Sequence, residues 1–141
     1  MGNLFIVNVS VVIFNKQGEI LLGHRGSDED VFPNLWGIPG GKIDSDDKSM
    51  EEGLKREVKE EVGIEIKGMK LISNNIRRKS DGQCVLFLVY KATIASGIPS
   101  PLEDTVEVRW FPFEGIAASD LTPFTYDIIS KAVNYTRKKA K

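Results

Sequence analysis

The chain is poor in the residues that mark special environments. It holds one cysteine, Cys84, and one histidine, His24, and its 19 Lys+Arg against 20 Asp+Glu leave a net charge of −1. A lone thiol cannot close an internal disulfide, so a disulfide scaffold is excluded, and Cys84 at the head of the apolar run VLFLVY reads as inert core. Balanced charge excludes global attraction to duplex nucleic acid or to a membrane surface, so any anion must be bound by a local arrangement. Long apolar runs are absent too. The opening LFIVNVSVVIF is interrupted by Asn8 and Ser10, too short for a membrane span and without the basic leader of a signal peptide, and it reads as a strand. Met1-Gly2 lacks the Ser or Thr that myristoylation wants where Ile6 stands, so a cytoplasmic location is expected.

What is present is an ordinary globular composition, 41% hydrophobic and 28% charged over 141 residues, which suits one domain spanning 1–141. Val7 to Phe14 and Glu19 to His24 are apolar runs joined by the turn Asn15-Lys16-Gln17-Gly18, the pattern of a hairpin. Gly26 to Asn34 is a loop, and Leu35 to Ile43, broken by Pro39-Gly40-Gly41, is extended without being a regular strand. A helix is expected from Ser49 to about Val62. Ser49-Met50-Glu51-Glu52 forms a capping box, Met50, Leu54, Val58 and Val62 form an apolar stripe, and Gly63 supplies the stop. Further strands are expected around Ile64 to Ile72, Gln83 to Ile94 and Thr105 to Phe111, with a polar loop at Arg77 to Gly82 and a closing helix from Phe124 to Lys139. This order implies an α/β or α+β sandwich of mixed strands.

The run REVKEEVGI, Arg56 to Ile64, carries the chemistry. On a helix, positions i, i+3 and i+4 fall within roughly a quarter to a third of a turn, so Glu57, Glu60 and Glu61 share a narrow arc and repel. Either they splay into water or a hard divalent cation relieves them, because Mg²⁺ and Mn²⁺ take oxygen ligands.

Gly40-Gly41-Lys42, the capped helix and REVKEEVGI together resemble the Nudix box, G-x5-E-x7-R-E-U-x-E-E-x-G-U, with U a bulky apolar residue. Arg56, Glu57, Val58, Glu60, Glu61, Gly63 and Ile64 match its second half. The first half carries one extra residue. Counted from Gly41 the pattern's first Glu falls on Asp47, and counted back from Arg56 it falls on Lys48; the capping box keeps the helix in register and puts the insertion in Lys42 to Lys48. WGIPGGK and VEVRWFPF also resemble the family. The resemblance implies a Nudix-type α/β/α sandwich with a mixed central sheet, one catalytic helix and a C-terminal helix. It implies a MutT-like hydrolase that uses Mg²⁺ or Mn²⁺ to split the pyrophosphate linkage of a nucleoside diphosphate derivative, a triphosphate giving monophosphate and pyrophosphate being the leading reading. By resemblance Glu60 and Glu61 are metal ligands, Glu57 a further ligand or the general base, and the Gly40 carbonyl a backbone ligand. Arg56 orients the acidic cluster. Glu103 or Glu107 supplies a later carboxylate, with Glu103 preferred.

Alternatives stay open at this level. ADP-ribose, dinucleoside polyphosphates, nucleotide sugars, a capped RNA end or a catalytically silent nucleotide-binding module would suit the same residues, because specificity is expected in loops such as Gly26 to Asn34 and Arg77 to Gly82. A nucleotide is the expected small-molecule partner, and a homodimer is left open. Arg25 and Lys42 are the favoured phosphate contacts, with Arg77 and Arg78 read as solvated cations. Phe32, Trp36, Phe124 and Tyr126 could stack on a base but read first as core, and His24 reads as a satisfied or exposed side chain, not a ligand or base.

Overall fold

A computed structural model describes residues 4–27 and 32–139. The chain runs through β1 (Phe5–Ile13), β2 (Ile20–Arg25), β3 (Trp36–Gly37), β4 (Gly40–Lys42), α1 (Met50–Val62), β5 (Glu65–Arg78), β6 (Cys84–Ser96), β7 (Thr105–Phe111) and α2 (Thr125–Lys139). Two sheets form the centre. One is four-stranded and mixed, in the order β4-β1-β6-β5, with β1 parallel to β6 and the other neighbours antiparallel; the second is antiparallel, in the order β3-β2-β7.

The pleat of β1 explains how this centre takes a helix on either side. Val9, Val11 and Ile13 project to one face and join Leu54, Val58 and Val62 of α1, whereas Val12 and Phe14 project to the other and join Ile129, Ala132 and Val133 of α2. A strand buried on both faces needs apolar side chains in both registers, which the run VSVVIF supplies apart from Ser10. The result is an α/β/α sandwich.

The expected hairpin is not formed as a ladder. Phe14 and Ile20 make an isolated bridge, after which β1 and β2 part into different sheets. Both edges of β1 are already taken by β4 and β6, and both edges of β2 by β3 and β7, so neither strand has an edge left for the other. The turn itself is as expected: Gly18 has φ 77, and the Asn15 side-chain oxygen accepts the backbone N–H groups of Gln17 and Glu19.

A second difference concerns Arg77 to Gly82. Strand β5 continues through Arg78, pairing Ser73 to Arg78 with Val89 to Cys84, and the loop shrinks to the turn closed by Lys79 and Gln83. The polar composition of Arg77 to Gly82 pointed to a loop, but β5 is the edge strand of its sheet, where a hydrophilic strand end is tolerated. Cys84 also departs from expectation. It lies at the first position of β6, half-buried, and is not a core residue.

Helix α1 keeps its expected bounds. Ser49 Oγ accepts the Glu52 N–H at 3.0 Å, and Gly63 at φ 72 closes the helix by donating to the Lys59 carbonyl at 3.0 Å.

Candidate functional site

The site is built where β4 runs beside the exposed side of α1. Two glycines make that approach close. A Cβ on Gly40 would lie 2.3 Å from the Val9 carbonyl oxygen and 2.7 Å from Ser10 Cα, and one on Gly41 would lie 2.2 Å from Glu57 Oε2. The first conflict is with backbone, so only glycine lets β4 pair with β1 here; the second is with a carboxylate, so glycine leaves the space that Glu57 fills.

Arg56 is the hub of the acidic helix. It donates from Nε to Asp47 Oδ1 at 2.9 Å and from Nη2 to Asp47 Oδ2 at 2.8 Å, a bidentate pair. From Nη1 it reaches Glu57 Oε1 at 3.0 Å and Glu60 Oε1 at 2.9 Å, and from Nη2 the Lys42 carbonyl at 3.2 Å. Of the two positions that the spacing left for the pattern's first glutamate, Asp47 is the one that lies beside the helix and binds Arg56. Its shorter side chain reaches because helix position 53 is glycine. A Cβ there would meet Ile43 Cδ1 at 2.4 Å and Asp47 Oδ2 at 2.8 Å. Gly53 was missed by sequence reasoning, although a glycine inside a helix, costing about 1 kcal/mol relative to alanine, is itself the signal of a close approach.

Electrostatics separates the acids. The Arg56 guanidinium and the Asp44 N–H lower the Asp47 pKa to about 2. Glu57 is pushed upward by burial, with Arg56 acting against the shift. Glu61 lies deeper; burial raises its pKa to about 7, the Gly40 N–H that it accepts at 2.8 Å opposes the shift, and the charges of Glu57 and Glu103 add to it. The three glutamates therefore do not stand as one equivalent face. Glu57 and Glu60 turn to Arg56, while Glu61 turns towards the cleft.

That cleft, about 300 Å³, opens between the two sheets and is bounded by Glu61 and by Glu103 just before β7. Glu103 has φ 51. Glu107 does not line the cleft; it pairs across the strands with His24 and makes an ion pair with Arg109. Of the two favoured phosphate contacts, Arg25 lines the cleft and acts on the charge of Glu61, whereas Lys42 is exposed, is not among the lining residues, and meets Arg56 through its carbonyl. Arg77, read as a solvated cation, is a lining residue instead, while Arg78 reaches the Gly82 carbonyl. Trp36 packs at 4.7 Å against His24 and edge-on at 5.0 Å against Phe111, and Tyr126 packs on Phe113, so these rings are structural. Phe32 and Phe124 border the cleft. Of the Gly26 to Asn34 loop, residues 28–31 lie outside the described residues.

The donor set suits a hard cation. Carboxylate and carbonyl oxygens predominate, and Glu61 is a half-buried acid whose charge is disfavoured by desolvation and by its acidic neighbours, a state that a divalent ion would relieve. Among the described residues no three acidic, His or Cys side chains are yet gathered closely enough to hold a metal, consistent with Arg56 drawing Glu57 and Glu60 to itself. No helix among them is long and apolar enough to cross a membrane.

Residues 4–132 match the model of the NUDIX domain. The chain is 30% identical over 123 residues to a nucleoside triphosphatase NudI from Enterobacter sp. (strain 638), covering 80% of this chain and 86% of that protein. Among solved structures, a MutT NUDIX hydrolase from Burkholderia pseudomallei superposes with a TM-score of 0.78 at 27% identity, covering 91% of this chain and 98% of that one. An ADP-ribose pyrophosphatase from Streptococcus suis has a TM-score of 0.74 at 22% identity over 95% and 93% of the two chains, a likeness of fold.

Proposed function

Because the chain belongs to the NUDIX family and is a hydrolase of phosphorus-containing anhydrides, we propose that its substrate is a nucleoside triphosphate, cleaved to a monophosphate and pyrophosphate. The supporting observation is Glu61, a half-buried carboxylate that lines the cleft together with Arg25 and Glu103. The similarity to a nucleoside triphosphatase supports the choice of triphosphate. The whole chain, in this reading, is one domain acting on small nucleotides in the cytoplasm.

The roles follow from position. Glu57, Glu60 and Glu61, with the Gly40 carbonyl, would hold Mg²⁺ or Mn²⁺. When bound, the ion neutralises phosphate charge and acidifies coordinated water. Arg56, fixed by its two bonds to Asp47, restrains Glu57 and Glu60 and keeps their negative charge in one place. Glu103 lines the cleft with Glu61, where its carboxylate would accept a proton from attacking water. Arg25 supplies the positive charge that a polyphosphate entering between Glu61 and Glu103 requires.

Pyrophosphate release from the common ribo- and deoxyribonucleoside triphosphates, with ADP-ribose, a dinucleoside polyphosphate and a nucleotide sugar alongside, tests the proposal. Turnover of a triphosphate with Mg²⁺ and its loss on chelation are the expected results. Preference for ADP-ribose or a nucleotide sugar would overturn the substrate, and full activity in chelator would overturn the metal roles.

A further inference from the structure

The C-terminal half of α2 lies against a group of cations that the cleft does not use. On the interior strand β6, Val89 turns towards α2 and joins its core, and Lys91, two residues on, shares that face. There Lys91 is half-buried. Its ammonium donates to Thr136 Oγ1 at 2.9 Å and lies 5.9 Å from the centre of the Phe14 ring, both of them neutral partners. Directly across the ladder from Lys91 stands Lys70 of the edge strand β5. Like charges opposed on adjacent strands are destabilising. The register of β5 nevertheless breaks on both sides of the Lys70–Leu71 segment, with Gly68 at φ 65 in the first break, and between these irregularities Lys70 is held opposite Lys91.

Lys139, in the last turn of α2, completes the group. The ammoniums of Lys70, Lys91 and Lys139 lie 5.7, 5.3 and 5.7 Å from the centre of the Tyr135 ring. Lys70 hydrogen-bonds the Tyr135 phenol and lowers its pKa, and the charges of all three lysines act in the same direction. The helix dipole accounts for a cation at the end of α2 but not for two on the sheet beside it. Attraction to one ring is weak for each exposed ammonium and leaves the repulsion among the three in place. Ion pairs among the described residues involve Arg56, Lys59, Arg109 and Arg137, and none includes Lys70, Lys91 or Lys139. With a net charge of −1 over the chain, this excess of positive charge is local. Phe14 and Thr136, against which the Lys91 ammonium sits, also line a second cavity of about 180 Å³, so there is room beside it. Neither the three lysines nor Tyr135 line the cleft that holds Glu61.

We propose that Lys70, Lys91 and Lys139 form a binding site for a phosphate-type oxyanion, separate from the catalytic cleft. A compact anion with several charged oxygens accepts from three ammoniums at once, and the rotatable donors of lysine adapt to it. Three cations gathered on one ring make a point of charge and not a track, which suits a small anion better than a nucleic-acid backbone. The site does not depend on the substrate assigned to the cleft.

NMR of the Tyr135 ring and the lysine ammoniums, with pyrophosphate, inorganic phosphate or chloride added to the whole chain at matched ionic strength, tests this. A chelating buffer keeps metal-dependent binding in the cleft out of the measurement. Pyrophosphate or phosphate should shift the Tyr135 and Lys91 signals saturably, and chloride should not. Tighter binding of pyrophosphate assigns the site to a diphosphate, and equal binding assigns it to a single phosphoryl group. Lys91→Met keeps the buried stem and removes the charge, so binding should weaken by about tenfold or more. Its melting temperature in chloride should be unchanged or raised, because a like-charge repulsion is gone. Lys70→Met, at an exposed position, should weaken binding by a similar factor and serves if the first variant does not fold. Lys79→Met, in the turn between β5 and β6, changes the net charge equally and should stay within about twofold. Shifts that chloride reproduces, shifts that survive in both Lys91→Met and Lys70→Met, or an equal loss in Lys79→Met would overturn the site.

Discussion

The two flanks of α1 are polar in different ways. On the outer flank the charges around Arg56 are paired: Asp47 grips Arg56 at two points, Arg56 divides its remaining donors among Glu57, Glu60 and the Lys42 carbonyl, and Ser49 caps the helix start. On the cleft side the polar groups are left wanting. Glu61 has one backbone donor for a half-buried carboxylate with acids beside it, and Asn75 Oδ1 has none. A satisfied network holds geometry, because breaking any bond in it strands a partner; an unsatisfied group holds affinity, because a ligand can supply what the fold withholds. The outer flank is therefore scaffolding for the inner one.

Glu61→Gln should give the largest effect on that contrast. In pyrophosphate release with Mg²⁺, kcat/KM should fall at least about a hundredfold, roughly 3 kcal/mol in ΔΔG‡, with the fold intact by circular dichroism. An unchanged rate would show that the buried acid takes no part.

The neighbouring glycines sharpen the comparison, since they fail for different reasons. Gly40→Ala sets a methyl against the backbone of β1, so the β4–β1 pairing should be lost and the melting temperature should fall by several degrees, as for other overpacked buried sites that cost about 1–3 kcal/mol. Gly41→Ala meets only the movable end of Glu57, so melting should change little while activity falls about tenfold or more through displacement of that carboxylate. Equal losses of stability in both would contradict the division between scaffold and site.

Glu103→Gln and Glu107→Gln probe the cleft from the other wall. The first should lower kcat about a hundredfold if Glu103 is the base, and the second, already paired with Arg109 outside the cleft, should stay within about twofold. The reverse order would exchange their roles.

The smallest effect belongs to the outer flank. The folded Asp47 pKa, about 2, lies below its ordinary 3.8, so the stability it contributes is present above pH 3.8 and is lost as pH falls through 2. Urea denaturation at several pH values should show wild type and Asp47→Asn converging over that interval and separated above it. A constant separation would mean that the Asp47 charge is not what holds Arg56.

Much of this was legible in the chain because it depends on local spacing. The Ser49 cap, the stripe of Met50, Leu54, Val58 and Val62, and the Gly63 stop are contacts within a few residues, and α1 begins and ends where they say. The glutamate triad was legible as three acids on one arc, but not as two acids bound to Arg56 and a third bound to the Gly40 N–H, since that depends on what β4 places opposite the helix. Arg77 and Arg78, the end of β5, read as loop because composition does not tell an edge strand from a turn.

By itself, the sequence determined the family, the helix and the identity of the acids, each a matter of residue type at fixed separation along the chain. Tertiary structure alone decided that Asp47 binds Arg56, that Glu103 and not Glu107 lines the cleft, and that Asn8, Phe87 and Asn75 meet in one row. Those depend on strand register and on sheet closure, which join residues tens of positions apart, and no local periodicity records which of them will meet.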